Sequence, residues 1–431
     1  MEIALLIIVF VGLFALGVPI AICIGLSTLA TMVVTMDFLP AATTIAQRMA
    51  GGLNSFALLA IPLFILSGQL MAQGGIARRL IEFSKAMIGM VPGGLAFVNV
   101  ISCTLFGAIS GSSIAATTAV GSFMIPEMKK EGYDKNFSAA VTVTSATTGL
   151  LIPPSNTLIV YAVASGGVSI AALFVAGYVP GLMISIATLV VCAIYARRNN
   201  MPAGERVSAR VALKYTIAAL PSLFLIVLVI GGILAGIFTA TEAGAIAVLY
   251  ALLLSAVVYR EIDLADIASI CLKAAQTTAV VMFLIAASIA MSWILAYQNI
   301  PTMVAEALVG VSDNPIVILL LINIVLLLVG IFMDMTPAVL IFTPILLPVA
   351  IELGMSPLHF GIMMVLNLCI GLCTPPVGTI LFVGCALAKT TINRMVRPMI
   401  PMYAAMFVVL MLITYIPKLS EGLPRFFGLI D

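Results

Sequence analysis

The chain is predicted to be an all-α polytopic membrane protein made of two inverted-topology repeats, each with a re-entrant hairpin and a broken helix. Three observations carry this expectation. The composition is 63% hydrophobic and 8% charged with a mean hydropathy of +1.27, and apolar stretches of about 20 residues, enough to cross a bilayer, recur from Glu2 to Pro417. Next, the pairs Pro153-Pro154 and Pro375-Pro376 stand 222 residues apart, each after a Gly-Leu step. In that register Pro126 falls on Pro348, Gly132 on Gly354, Gly149-Leu150 on Gly371-Leu372 and Thr157 on Thr379, without a gap. Residues 126–164 then show nine identities, five of them Gly or Pro. Coincident helix breakers are hard to obtain by chance in an apolar chain. The third observation is the placement of the basic residues.

Short cytoplasmic loops collect Lys and Arg. The loop with Arg78, Arg79 and Lys85 is basic, while its partner near 300–310 has only Glu306. Lys129, Lys130 and Lys135 are matched by 351–357, which has Glu352 and no basic residue. The order then reverses, since Tyr161 to Ala172 lacks basic residues, whereas its partner and the residues just after it carry Lys389, Arg394 and Arg397. Equivalent loops are therefore on opposite sides, as an inverted repeat requires. The linker with Arg197, Arg198, Arg206, Arg210 and Lys214 is expected in the cytoplasm.

Several classes are excluded or disfavoured. The longest charged interval, residues 196–214, is too short for a soluble domain. The start, with Glu2 and no basic n-region, is expected to be an uncleaved helix. A net charge of +2 does not suggest nucleic acid. The seven cysteines lie in apolar segments without a Cys-x-x-Cys and are expected to pack rather than bind metal. No Gly-x-x-x-x-Gly-Lys-[Ser/Thr] loop is present for ATP. An intramembrane hydrolase would need a base for Ser110, and His359 reads as loop-proximal. An ion channel, or an antiporter without a binding protein, would share the broken helices and differ in stoichiometry.

Between the basic loops at 78–85 and 127–135 the chain must enter and return. The small, polar run from Gly107 to Ser113 suits a hairpin tip, with arms expected at Leu95 to Ile109 and Ile114 to Met128. Arms of about 22 Å do not cross a core of about 30 Å. In the second half the tip is Phe332 to Pro337, with Asp334 aligned on Ser112. After each hairpin comes a helix broken in mid-membrane: Phe137 to Ile152 before Pro153-Pro154-Ser155-Asn156, and Leu358 to Cys373 before Thr374-Pro375-Pro376-Val377-Gly378. Proline removes a backbone donor and bars its predecessor from helical geometry. In hydrocarbon such interruptions are tolerated only where they are buried or line a wet cavity, and two equivalent ones point to a transporter's binding site. Freed carbonyl and hydroxyl oxygens suit a hard cation such as Na+, and half-helix N-termini attract an anion. The candidates are Ser110, Ser112, Ser113, Ser155 and Asn156 from one half and Asp334, Thr336 and Thr374 from the other. An ionisable group at membrane depth is functional by default, so Asp334 leads, and Ser155 and Asp334 are expected to share one centre.

Five motifs occur in order: Ser110-Gly-Ser-Ser-Ile-Ala through Gly121 to Pro126, Gly149-Leu-Leu-Ile-Pro-Pro-Ser155, Leu173-Phe-Val-Ala-Gly-Tyr-Val-Pro-Gly181, Phe238-Thr-Ala-Thr-Glu-Ala-Gly244 and Thr374-Pro-Pro-Val-Gly378. Together they resemble the large membrane (M) subunit of a tripartite ATP-independent periplasmic (TRAP) transporter, DctM/SiaM-like, over nearly the whole chain. Ala240 departs from the family, where Pro is common. The resemblance implies an elevator-type transporter of the bacterial inner membrane, a symporter rather than an enzyme. It would couple Na+ to uptake of a small organic acid such as sialic acid, a C4-dicarboxylate or a sugar acid. Its partners would be a periplasmic substrate-binding (P) protein and a small membrane (Q) subunit. It maps a sodium site onto Ser110, Gly111, Ser155, Asp334, Thr336, Thr374 and Pro376, and substrate binding onto Ser112, Ser155, Asn156 and Asp334. The implied domains are scaffold helices at 1–85, a transport region at 86–165, scaffold again at 166–311 with the linker 196–214, a second transport region at 312–390, and a C-terminal helix and tail at 391–431. Thr239 and Glu242 have capping-box spacing. His359 reads as a helix-end residue, and Trp293 and Tyr297 face substrate or lipid.

Overall fold

The computed structural model describes residues 2–201, 203–204, 207–312 and 314–430, so Arg206 of the basic linker lies outside the described residues. The first half runs α1 (Glu2–Ala15), α2 (Ile20–Thr35), α3 (Phe38–Leu53), α4 (Ala60–Gln73) and α5 (Ile76–Ile88). It continues through hairpin arms α6 (Gly94–Ser110) and α7 (Ser113–Lys130), the broken helix α8 (Lys135–Ala146) and α9 (Asn156–Ala164), and α10 (Ile170–Arg198). The second half runs α11 (Ala209–Leu234), α12 (Ala240–Leu252), α13 (Leu264–Tyr297) and α14 (Ile300–Val309). Its hairpin arms are α15 (Pro315–Phe332) and α16 (Met335–Glu352), its broken helix α17 (Pro357–Leu372) and α18 (Thr379–Ala388), and it ends in α19 (Ile392–Tyr415) and α20 (Lys418–Phe426). Among the described residues, eight helices are long and apolar enough to cross a membrane.

The 222-residue register holds well beyond the motifs. Arms α7 and α16 begin and end 222 residues apart, and α8 with its 3-10 extension Thr147–Leu150 matches α17 end for end. The correspondence breaks where α3 and α4, parted at Asn54-Ser55, match the single 34-residue α13, and where the single 29-residue α10 matches α19 and α20, parted at Ile416-Pro417.

Side-chain contacts show the inversion. Lys135 Nζ donates to Lys389 O at 2.9 Å and Thr390 Oγ1 to Asn136 Oδ1 at 2.5 Å, so the first broken helix starts where the second one ends. At the far end Tyr161 Oη donates to Pro357 O at 2.5 Å, so the first ends where the second starts. The two are antiparallel. The basic loops gather accordingly: Arg78 and Arg79 meet Glu261 at 2.5 and 3.2 Å, Lys85 pairs with Glu127, and Pro92 bridges to Ala203 in the linker. By the charge rule that end is cytoplasmic. A cysteine at Lys130 is therefore expected to react with a membrane-impermeant maleimide from the cytoplasm, and one at Glu352 from the periplasm. Labelling of both from one side would contradict the inversion.

Two packed groups share the structure. A frame consists of α1–α5 and α11–α14, in which α4 lies against α12 and α13 against α2 and α3. A second group, α6–α9 and α15–α18, carries the hairpins, with α7 on α18 and, reciprocally, α16 on α9. Helix α10, expected in the scaffold at 166–311, packs instead on α6, α8, α17, α19 and α20. Its Gly177 and Gly181 leave no room for a Cβ because Leu151 and Ile152 of the first break press there. The hairpin arms also exceed expectation, at 17 and 18 residues for α6 and α7, or about 26 Å. Pro126 is accommodated inside α7, which continues to Lys129 and Lys130, where basic charge suits a helix C-terminus. Both tips end in one shared cavity, as a pair of re-entrant hairpins requires. Helix α5 is amphipathic, burying Ile76, Leu80 and Ile81 while Arg78 is half exposed, and joins frame to hairpin at the membrane surface. The C-terminal tail is itself helical, as α20, which buries Ser420, Glu421 and Pro424 against α10 and α17.

The remaining singled-out residues have structural roles. Thr239 and Glu242 form a reciprocal capping box at the start of α12. His359 sits in the first turn of α17, with Nδ1 2.5 Å from Ser420 Oγ and Nε2 3.3 Å from Thr414 O. Trp293 stacks on Tyr297 at 5.3 Å, with the Arg48 guanidinium over its ring, and neither aromatic lines the polar cleft. Six cysteines are buried and Cys271 is exposed, all as free thiols.

Candidate functional site: a cleft between hairpin tips and helix breaks

Each hairpin is held against its own broken helix by a glycine pair. A Cβ built on Gly107 of α6 would lie 2.6 Å from Gly149 Cα, and one on Gly371 of α17 would lie 2.6 Å from Gly330 Cα of α15. Backbone meets backbone there, which only glycine permits; Gly149 and Gly371 coincide in the repeat, and their partners differ by one residue, since Gly107 falls on Val329 beside Gly330. This contact brings the tips to the breaks.

At the first tip Gly111 is left-handed, with φ +61°, and the space its Cβ would take is filled by Pro154 O of the first break. Ser112 caps α7, its Oγ accepting from Ala115 N at 3.3 Å, and Ser110 Oγ donates to Ser112 O at 3.4 Å. At the second tip Asp334 occupies the equivalent cap position of α16 but makes no capping hydrogen bond. Its Oδ1 instead accepts from Thr379 Oγ1 at 3.4 Å, at the start of α18, and Gly378 N donates to Ile331 O at 3.2 Å. The carboxylate is thus directed at the second break rather than at its own helix. Both Pro-Pro bonds, Pro153-Pro154 and Pro375-Pro376, are cis.

The tips open into one cavity of about 210 Å³. Of the expected residues, Ser110, Gly111, Ser112, Ser113, Asn156, Asp334 and Thr336 line it, joining both halves. Ser155, Thr374 and Pro376 do not. Ser155 is fully buried in the break, where its Oγ donates to Leu150 O at 2.5 Å and accepts from Leu158 N at 3.4 Å, capping α9 beside Asn156. Thr374 Oγ1 donates to Ile370 O at 2.7 Å, and Pro376 is an exposed part of the second break. Asn156 Oδ1 is buried without a hydrogen-bond partner. A buried acceptor left unpaired costs about 1–3 kcal/mol, so this oxygen fits a donor or cation brought by a ligand.

Sequence reasoning missed the frame's share of the cleft. Gln69 of α4 and Thr277 of α13 face the tips, and both also line an adjoining vestibule of about 700 Å³ that runs past Thr118 and Ser122 to Arg78 and Glu261 at the basic end. A signal existed in Gln69, an amide within an apolar helix, but the repeat offers it no polar partner, since Met291 stands at the equivalent position. Gly68 completes the contact, because a Cβ there would lie 2.8 Å from Ser110 O.

The cavity has the chemistry for two kinds of charge. The N-termini of α7, α9 and α16 converge on it, each equivalent to about half a positive charge, which favours an anion. Asp334 and the hydroxyl and amide oxygens favour a hard cation. Among the described residues no group of three or more His, Cys, Asp or Glu side chains is placed to hold a metal.

Two re-entrant hairpins and two broken helices meeting at a polar cleft inside an apolar bundle define an integral membrane transporter of the inverted-repeat class. Residues 7–419 match the family described as the tripartite ATP-independent periplasmic transporter, DctM component. The chain belongs to this family of TRAP large permeases, and is a multi-pass protein of the bacterial inner membrane and a transporter component rather than an enzyme. It is 51% identical over 97% of its length to the Salmonella typhimurium protein YgiK, of which 96% is covered. It is 39% identical to the Rhodobacter capsulatus C4-dicarboxylate TRAP transporter large permease protein DctM, covering 97% of this chain and 98% of that one. It is 40% identical to the Oleidesulfovibrio alaskensis isethionate TRAP transporter permease protein DctMQ, over 97% of this chain and 66% of the longer relative. In fold it is similar to the Alcanivorax borkumensis YdaH transporter, with a TM-score of 0.63 at 14% identity and 90% of each chain covered.

Proposed function

We propose that this chain is the permease subunit of a sodium-coupled importer of a small organic acid, delivered by a periplasmic binding protein and moved by an elevator motion. The observation that carries this reading is the joint cleft, where Asp334, the orphaned Asn156 Oδ1 and three helix N-termini meet at the boundary between the hairpin group and the frame. Sodium fits Asp334 with Ser110, Ser112, Thr336 and the carbonyls freed at Gly111 and at the two breaks. Ser155, Thr374 and Pro376 act by shaping those breaks. The acid's anionic group fits the helix N-termini, and its hydroxyls fit Asn156, Ser112 and, from the frame, Gln69 and Thr277. Movement of the hairpin group along α4 and α13 would carry both ligands from one face to the other. The vestibule at the basic end then corresponds to the state open to the cytoplasm.

Partners follow from the family and its relatives. One relative joins M and Q names in a single longer chain, which supports a small Q subunit as a partner of this one. The named relatives handle C4-dicarboxylates and isethionate. Small organic acids, sialic acid and sugar acids included, are therefore the candidates. The test is uptake into proteoliposomes holding the permease and its small subunit, with the cognate binding protein and a panel of these acids outside. Accumulation of one acid without ATP, and only with the binding protein, is expected. Uptake equally fast without the binding protein would overturn the delivery step.

A further inference from the structure

A second polar cavity lies at the basic end, apart from the cleft. It measures about 600 Å³ and sits between the start of α8 and the cytoplasmic ends of α10 and α19, with Arg198 and Arg397 at its rim beside Asp134. We propose that this groove binds one phospholipid of the cytoplasmic leaflet whose headgroup carries net negative charge.

The charge balance selects the headgroup. Asp134 Oδ1 accepts from Asn136 N and Phe137 N, both at 2.9 Å, so its carboxylate caps α8. Among the described residues neither Arg198 nor Arg397 is within salt-bridge distance of a carboxylate. Two guanidinium forks in one groove match the oxygens of a phosphodiester, which Arg binds in a bidentate manner. The floor is flat and apolar, because Phe137 of α8 stacks on Tyr195 of α10 at 3.5 Å with the rings 8° apart.

The surface beyond the groove selects a lipid over a free anion. Leu182, Ile186, Val190 and Ile194 precede Arg198 at four-residue steps on α10, and each is about half exposed, at 48, 59, 52 and 52%. Each step of four turns by about 40°, so these residues form one apolar ridge that winds about α10 as it descends from the arginine over about 24 Å at 1.5 Å per residue. That is more than the roughly 15 Å depth of one leaflet's hydrocarbon. Pro398 and Pro401 of α19 form the facing wall. Basic pockets between helices on the cytoplasmic side are where anionic lipid headgroups bind. The bound lipid would tie α8, α10 and α19 together at the membrane surface.

Native mass spectrometry of the delipidated full chain with its small subunit tests this, using phosphatidylglycerol, phosphatidylethanolamine and phosphatidylcholine as probes and inorganic phosphate as competitor. One phosphatidylglycerol per chain should be retained in preference to the other two lipids. The double variant Arg198→Ala/Arg397→Ala should weaken that retention by at least about tenfold. Ile194→Trp, which keeps both charges and obstructs the apolar wall, should weaken it too, whereas Arg210→Ala on α11 should not. Equal retention of all three lipids, unchanged retention in both groove variants, or displacement of the lipid by an equal concentration of phosphate would overturn the proposal.

Discussion

Asp334→Ala is expected to abolish sodium-driven uptake while the permease still inserts and still pairs with its small subunit. Among the described residues Asp334 is the only carboxylate lining the cavity, its side chain makes no capping hydrogen bond to its own helix, and it is directed at the second break through Thr379. Deleting a charge that faces a bound cation costs about 3 kcal/mol, which is more than a hundredfold in affinity. Asp334→Asn, which keeps the shape and removes the charge, should fail equally. Ser155→Ala should be milder. Loss of an N-cap costs about 1 kcal/mol, and the substitution also leaves Leu150 O without its donor, so uptake should fall without vanishing. Val227→Phe, on an exposed part of α11, serves as the neutral control. Normal uptake by Asp334→Ala, or equal damage from Val227→Phe, would remove the site assignment. Uptake rates of variants matched for membrane content decide it.

Gly149→Ala is expected to destabilise the protein by about 3 kcal/mol, at the upper end of ordinary overpacking. The new methyl would lie 2.6 Å from Gly107 Cα, and a backbone atom cannot rotate away as a side chain can. Gly371→Ala should behave alike, since its methyl would meet Gly330 in the same manner. Gly12→Ala, where nothing lies within 4 Å, should stay within about 0.5 kcal/mol of the parent. Thermal unfolding in detergent reads all three. A Gly149→Ala protein as stable as the Gly12→Ala protein would show that hairpin and broken helix are less closely packed than described.

Much of this architecture was legible because helix breakers and charge leave local marks. The two Pro-Pro pairs located both breaks, the small residues at 107–113 located the first tip, and alignment on Ser112 located Asp334. The reversed basic loops put Lys135 and Lys389 on one side, and in the structure these residues, 254 apart, are in contact. What could not be read depends on which helix faces which. Gln69 and Thr277 belong to helices that run through this region uninterrupted; Gly68 lets α4 bring Gln69 up to Ser110, and Thr277 lines the cleft from α13. Helix α10 has the length and apolarity of a scaffold span, and its packing on the hairpin group, with Gly177 and Gly181 against the first break, is visible only in three dimensions. The hydroxyls of Ser155 and Thr374 were equally candidates for ligand and for cap. In the structure each hydroxyl donates within its own break, to Leu150 O and Ile370 O.

Coupling of acid to sodium is the central claim, and one flux measurement tests it most directly. Proteoliposomes containing the permease and its small subunit, with binding protein and acid outside, are given an inward sodium gradient, no gradient, or sodium-free buffer with the same membrane potential. Accumulation of acid above its outside concentration only under the sodium gradient, and its loss in Asp334→Asn, is the predicted result. Accumulation that continues undiminished in sodium-free buffer would contradict it.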